Sequence, residues 1–371
     1  MNTLSHTNPG LPADWGARGT TGVSFAAALS FDNVDVRIGE RLVLDKLDIS
    51  LVPGEIVCLL GESGSGKSTI LRVAAGIQSI SGGEVKINGT TVSTARFHAP
   101  PGERGVGLMF QDFALFPHLT LLENICFGLN QLGQREAKKQ ARSALMRVGL
   151  QEREKDYPHM LSGGQQQRLA LARTFAPKPG ILMLDEPFSG LDARLRENVR
   201  AETLAILRET RATTIIVTHD PEEAMVLGDR IALLRNGRVA QIDTATRIYH
   251  QPVDLETARF FSPLTEINAV VNAGFAQTPL GKVPTPNHKH DDRVTLAIRP
   301  VGALEISTKS KGIPARVLSK HEALGRDIYE VQVRDIEAPI SIRALSNSTI
   351  LPGNDIMLSL NPEHVLVFDR E

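Results

Sequence analysis

Residues 61–69 read Gly61-Glu62-Ser63-Gly64-Ser65-Gly66-Lys67-Ser68-Thr69, a G-x-x-x-x-G-K-[ST] spacing that suits phosphate binding. Glycines let the backbone close around a phosphate so that successive N–H groups point inward, and a following helix adds the partial positive charge of its N-terminus. Lys67 is expected to reach the β and γ phosphates, Ser68 to ligate magnesium and Thr69 to add a hydroxyl. The same stretch alone would also suit a flexible turn. Its flanks favour the phosphate loop: an apolar strand at 55–60 precedes it, and a helical stretch over about 67–75 follows, closed by Gly76.

A second group is acidic. Residues 181–187 read Ile-Leu-Met-Leu-Asp-Glu-Pro, an apolar strand that delivers Asp185 and Glu186 to its C-terminal edge, where ligands bind in open α/β sheets. Asp185 suits the magnesium shell. Glu186 is placed to orient or deprotonate an attacking water. An apolar strand ending in two acids is common by itself; together with the phosphate loop it points to hydrolysis of a nucleotide.

The third group is Leu161-Ser162-Gly163-Gly164-Gln165-Gln166-Gln167-Arg168, preceded by Tyr157-Pro158-His159. A Ser-Gly-Gly helix cap accounts for part of it. The whole ordered set resembles the signature loop of the ATP-binding cassette of ABC transporters. The likeness spans nearly the whole chain from about residue 29 and is weaker in the last third. It implies that Ser162, Gly163, Gly164 and Gln165 act on ATP held by an opposing cassette, so that two cassettes sandwich two nucleotides. Gln111, in Leu-Met-Phe-Gln-Asp, matches the family's glutamine that senses nucleotide and links to the membrane partner; the resemblance makes it both a catalytic group and a metal ligand. Ser189-Gly190-Leu191-Asp192-Ala193 matches the loop that crosses between cassettes, with Asp192 at the nucleotide. His219, in Ile-Val-Thr-His-Asp, matches the histidine that contacts the γ-phosphate and catalytic water. One departure stands out: where these cassettes usually stack an aromatic ring on adenine, this chain has Ile38, and without a ring face the stacking weakens. Phe31 lies too early in its strand to substitute.

These groups need elements to position them. Alternating apolar and polar residues over 23–51, with a turn at Gly39-Glu40, predict antiparallel strands. Apolar strands return at 181–184, 214–217 and 231–234, separated by helical stretches at 193–211 and 222–227, which implies a largely parallel sheet covered on both faces. Residues 112–164 carry helical spacing, with 136–148 amphipathic. After about Phe261 the chain reads as short strands at 294–298, 315–318, 328–333, 356–360 and 365–368, with a loop over 277–292 holding Pro279, Pro284 and Pro286. The expected fold is therefore α/β: a phosphate-loop cassette with a helical subdomain at about 112–164, plus a small OB-like β-barrel. The expected boundaries are a loose tail at 1–24, the cassette at 25–260 and the barrel at 261–371.

The 371 residues carry 41 basic and 42 acidic side chains, so no bulk attraction to nucleic acid is implied. Cys58 and Cys126 form no disulfide framework, which suits a reducing compartment. No apolar run approaches the roughly 18–20 residues of a membrane-spanning helix, and the first residues lack the basic start and apolar run of a secretory signal. Service to a membrane would go through other subunits. The apolar stretch 112–129 is expected in part to line a groove for a short permease helix.

The resemblance implies a homodimer, ATP and Mg2+ as ligands, integral permease subunits, an indirectly coupled solute-binding protein, and a peripheral place on the cytoplasmic face of the bacterial inner membrane. The barrel is similar to the regulatory domain of importer ATPases for sugars, polyamines and ferric iron. The residues Ala258-Arg259-Phe260-Phe261 and Glu266-Ile267-Asn268 lean toward the ferric-iron group. In the barrel, His288, His290, Asp291 and Asp292 are crowded in sequence and are weighed both as metal ligands and as a solvated loop. A soluble ABC ATPase acting on ribosomes or DNA is disfavoured by the single phosphate loop and the absence of a heptad tract. A small-molecule kinase or GTPase has no use for residues 161–168.

Overall fold

The computed structural model describes residues 23–307, 312–323, 325–345 and 349–370. Of the expected tail, only Val23 and Ser24 fall among these. The chain forms two compact units, one running to Ala245 and the other Thr246–Glu371.

In the first unit, β1 (Leu29–Ile38) and β2 (Arg41–Leu51) pair antiparallel around Gly39 and Glu40. β3 (Ile56–Leu60) follows with every residue buried. Beyond the glycine loop come α1 (Lys67–Ala74), β4 (Gly82–Ile87), β5 (Thr90–Thr94) and β6 (Val106–Met109). A helical segment holds α2 (Leu121–Cys126), α3 (Gln134–Arg147) and the start of α4 (Gly163–Phe175). The unit ends with β7 (Ile181–Asp185), α5 (Ala193–Thr210), β8 (Thr213–Val217), α6 (Pro221–Leu227), β9 (Arg230–Arg235) and β10 (Arg238–Asp243).

These strands sort into an antiparallel sheet, β2-β1-β4-β5, and a six-stranded sheet, β10-β9-β3-β8-β7-β6. In the larger sheet β9, β3, β8, β7 and β6 run parallel, and β10 closes one edge antiparallel. β3 and β8 are apolar or Thr throughout and wholly buried, as strands covered on both faces must be. One core joins the two sheets and α1 through Leu29, Phe31, Val57, Ile70 and Ile215. In α3 the buried residues Ala137, Ala141, Ala144 and Leu145 recur at helical spacing. Arg147, fully buried at the end of α3, pairs with Glu202 at 3.2 Å and Glu209 at 2.8 Å on α5, tying the helical segment to the sheet layer.

The second unit takes up α7 (Ala245–His250) and contains α8 (Leu255–Phe261), then ten strands: β11 (Thr265–Asn272), β12 (Phe275–Thr278), β13 (Gly281–Pro284), β14 (Arg293–Ile298), β15 (Leu304–Ile306), β16 (Ile313–Ala323), β17 (Arg326–Val333), β18 (Ile340–Leu345), β19 (Asp355–Leu360) and β20 (Val365–Asp369). They form two antiparallel five-stranded sheets, β13-β12-β11-β14-β20 and β15-β19-β16-β17-β18, wrapped as a nearly closed barrel around Val271, Leu296, Tyr329, Val331 and Leu358. Strand β17 alternates buried and part-exposed positions along its length, the period of a one-sided core. Part of the loop expected at 277–292 is instead the hairpin β12–β13. Ala276, Leu280 and Val283 point inward to the core, and Pro284 is tolerated because β13 is an edge strand.

Candidate functional site

Four neighbouring strands of the parallel sheet, β3, β8, β7 and β6, end on one edge, and each releases a candidate group there. From β3 the chain enters the glycine loop. Gly66 sits at φ 107°, a conformation that strains any residue with a Cβ; a Cβ there would also stand 2.6 Å from Leu44 Cδ2. The loop thus packs directly on β2. Lys67 is buried, and its Nζ donates to the carbonyls of Gly61 and Glu62, both at 2.7 Å. Burial pulls the Lys67 pKa down, while Glu186 and Asp185 oppose that shift. Glu62, Ser63 and Gly64 are exposed at the loop crest, and Ser65 and Gly66 are buried beneath it. The first N–H groups of α1 lack intrahelical acceptors by construction, which leaves donors at the loop for an anion.

Ser68 Oγ donates to Asp185 Oδ1 at 3.2 Å, joining the loop to the end of β7. Burial raises the Asp185 pKa, and the Ser68 hydrogen bond works against it. A hydroxyl facing a carboxylate at the foot of an anion cradle fits a hydrated magnesium ion, which takes few protein oxygens and keeps waters. Thr69 follows Ser68 on α1 and is half-buried.

Glu186 adopts φ 45°, left-handed backbone that is costly for a residue with a side chain. Three bonds hold it there: its N–H donates to Val217 O (3.0 Å), and its carbonyl accepts from Ser189 N (3.2 Å) and Ser189 Oγ (2.9 Å). The carboxylate is aimed by two side chains from other strands. Gln111, just past β6, donates from Nε2 to Glu186 Oε2 at 3.1 Å. His219, just past β8, stands with Nδ1 3.4 Å from Glu186 Oε1. The His219 turn is fixed beneath by Thr218, which donates to the buried Glu223 at 2.7 Å and accepts from Asp220 N at 3.0 Å. So Gln111, Glu186 and His219 meet on one carboxylate.

A cleft of about 780 Å³ opens beside these groups, lined by Ser68, Gln111 and Asp185 and also by Gly163 and Leu191. Ser162 caps α4, and its hydroxyl accepts from Gln165 N. Gln165 Oε1 accepts from Ser162 N at 3.1 Å and from Arg153 Nη1 at 2.9 Å, so this side chain also builds the loop. Gly164 is buried against Leu195. The Asp192 carboxylate accepts from Leu195 N at 3.0 Å and caps α5. Ile38 closes β1 with 51% of its surface exposed, whereas Phe31 is 1% exposed and belongs to the core.

Of the apolar stretch 112–129, Leu121, Ile125 and Leu129 pack inward, while Phe127 is 61% exposed, its ring centroid 4.4 Å from that of Phe116 with the rings tilted by 48°. Sequence reasoning missed Arg153, which also pairs with Asp156 at 2.7 Å and donates to Met160 O at 3.0 Å. No motif marks it; only the folded turn brings it to Gln165. It likewise missed Arg72, whose position on α1 faces the cleft.

In the second unit His288 Nε2 lies 3.2 Å from Asp369, His290 pairs with Asp291 at 2.9 Å, and Asp292 accepts from Lys289 N at 2.5 Å. Among the described residues, no group of three or more His, Cys, Asp or Glu is arranged to hold a metal ion.

The chain is similar to known proteins. The family profile described as "ABC transporter" matches residues 44–189. The chain is 41% identical over 294 residues to the Fe(3+) ions import ATP-binding protein FbpC of Streptomyces avermitilis, covering 79% of this chain and 84% of that protein. It is 35% identical over 353 residues to the Fe(3+) ions import ATP-binding protein FbpC 2 of Rhizobium meliloti, covering 87% of each. Among solved structures, the dimeric post-hydrolysis state of the ATP-binding cassette MJ0796 bound to ADP and Pi is similar with a TM-score of 0.52 and 31% identity, over 58% of this chain and 98% of that one.

Proposed function

The chain belongs to the ABC transporter family, and from that premise we propose that it is the ATP-hydrolysing subunit that energises import of ferric iron. The observation that carries the hydrolytic part is the convergence of Gln111 and His219 on the Glu186 carboxylate beside the Ser68–Asp185 pair. The solute rests on the names of the relatives.

In this reading the N–H groups of the loop and α1 bind the phosphates, and Lys67 turns from its two backbone carbonyls to the β and γ phosphates. Ser68 and Asp185, with Gln111 as a further ligand, would hold a magnesium ion, whose chemistry there would be to neutralise charge on the phosphoryl group. Glu186, aimed by Gln111 and His219, orients the attacking water and takes up its proton. His219 faces the γ-phosphate. The cap at Ser162 and the backbone of Gly163 present the N-terminus of α4 to the nucleotide of a second copy, so the working form is a homodimer with two shared sites. Closure on ATP and parting after hydrolysis move attached permease subunits, to which a solute-binding protein delivers cargo. The chain would lie peripherally on the cytoplasmic face of the inner membrane, with the second unit as a regulatory barrel.

The test is ATPase activity of the chain reconstituted with its permease. Ferric-loaded binding protein should stimulate turnover, and Glu186→Gln should trap an ATP-bound dimer. Stimulation by polyamine or sugar instead would replace the solute, and a strictly monomeric Glu186→Gln variant in ATP would overturn the shared-site mechanism.

A further inference from the structure

Arg104 is a buried cation that the nucleotide site leaves unexplained. It follows a short turn, Pro101–Glu103, and precedes β6. It is 4% exposed, and among the described residues its hydrogen-bond partners include no carboxylate. Its guanidinium instead gathers backbone and hydroxyl oxygens from three segments. Nη1 donates to Val73 O at 2.8 Å and Ala74 O at 3.2 Å, the last carbonyls of α1. Nη2 donates to Val92 O at 3.0 Å and Ser93 Oγ at 2.8 Å on β5. Nε donates to Ala99 O at 2.9 Å. His98 adds a second strap, its Nε2 2.9 Å from Gly76 O and its Nδ1 3.2 Å from Ser93 Oγ. Gly76, at φ 79°, leaves room for this: a Cβ there would stand 2.6 Å from Arg104 Nε.

A guanidinium at a helix C-terminus satisfies carbonyls that have no N–H partner and complements the helix dipole. Here it also bolts α1 to a particular sheet. β5 belongs to β2-β1-β4-β5, the sheet that carries Ile38 at the tip of β1. The opposite end of α1 touches the same sheet, where Gly66 lies against Leu44 of β2. The helix, about 12 Å long for its eight residues, is therefore gripped at both ends by the sheet that carries Ile38, the residue that the family resemblance sets beside the base.

We infer that Arg104 is a positioning residue for nucleotide binding: by locking the C-terminal end of α1 to β5 it fixes the span between the phosphate loop and the base-side hairpin. This rests on the nucleotide reading of the site. A fixed span matters most in a chain with Ile38 in place of an aromatic ring, because an aliphatic contact gains little unless the base is delivered in register. Losing the lock should harm a ligand that touches both ends of the span and spare one that touches only the loop.

The experiment is calorimetry on the full chain with two probes, ATP and inorganic tripolyphosphate. Arg104→Lys keeps the charge but cannot reach all five acceptors. It should raise the ATP Kd about tenfold, or ~1.4 kcal/mol, and leave the tripolyphosphate Kd within about twofold. Ser93→Ala removes one acceptor without touching the cation and should raise the ATP Kd about threefold, one hydrogen bond's worth, again sparing tripolyphosphate. Equal loss for both probes would reduce Arg104 to a support of the fold, and no loss with either would remove it from nucleotide binding; both overturn the inference. If Arg104→Lys fails to fold, Ser93→Ala decides by the same ratio. Should the parent chain bind neither probe, the nucleotide reading itself falls and takes the inference with it.

Discussion

The edge of the parallel sheet in the first unit and the barrel of the second hold much the same reactive residue types, yet among the described residues only the first gathers them. At the sheet edge Ser68, Gln111, Asp185, Glu186 and His219 come from four strands far apart in sequence and meet within hydrogen-bonding reach or close to it. In the barrel His288 pairs with Asp369 and His290 with its neighbour Asp291, while Asp327 is taken by Lys320 at 3.1 Å and by Tyr329 at 2.9 Å. The difference is one of connection. Parallel strands joined by crossovers all deliver their C-terminal ends to one side, so every loop adds to the same site. Antiparallel strands send successive loops to opposite ends, and the acids and bases described in the barrel are taken up in separate pairs.

The comparison can be attacked first at Glu186. Replacing it with Gln should lower kcat by about 10²–10⁴-fold, the range of a general base, and leave the ATP Kd within a few-fold; steady-state turnover and equilibrium binding check both parts. Lys67→Ala comes next. Removing a buried, hydrogen-bonded charge from a ligand contact costs about 2–5 kcal/mol, so ATP affinity should drop at least roughly 30-fold in a titration. Preserved affinity would detach the glycine loop from the site.

A smaller gain is expected from Ile38→Tyr. A ring face on adenine is worth about 0.5–1.5 kcal/mol, and ATP should bind a few-fold tighter, with inorganic tripolyphosphate unaffected. Smaller still is a stability effect at Glu223. Burial is the first cause raising its pKa, partly opposed by the Thr218 hydrogen bond. A carboxyl raised in this way contributes stability that is complete below its unfolded pKa and lost as pH rises through the folded value. Glu223→Gln should therefore melt above the parent at neutral pH, with the gap closing in acid, as thermal scans across pH would record. At the far end of the scale, His288→Ala with His290→Ala should leave reconstituted ATPase activity unchanged. A large loss would give the barrel loop a chemistry that its paired side chains do not suggest.

Much of this is legible in the sequence. The glycine loop announces itself because an anion cradle has few solutions: a turn needing positive φ, a lysine and a hydroxyl at fixed spacing. The buried strands β3, β7 and β8 read as apolar runs because both of their faces are covered. Less could be read where the physics is nonlocal. The hairpin β12–β13 hid behind two prolines, since only its place at a sheet edge makes Pro284 harmless. Gln165 matched a motif for touching nucleotide, but the fold also spends it on Ser162 and on Arg153, a residue with no motif at all.

Sequence alone determined which groups could do chemistry here, because residue type and short spacing set the local backbone and the local charge. It also determined the two kinds of unit, through apolar runs in one and short alternating strands in the other. Only the tertiary structure decided that Gln111 and His219 aim the Glu186 carboxylate, and that an arginine bonded to carbonyl and hydroxyl oxygens clasps the far end of α1. Those contacts join strands and helices tens of residues apart, and a distance of that kind is fixed by how the sheets pack, which no local pattern encodes.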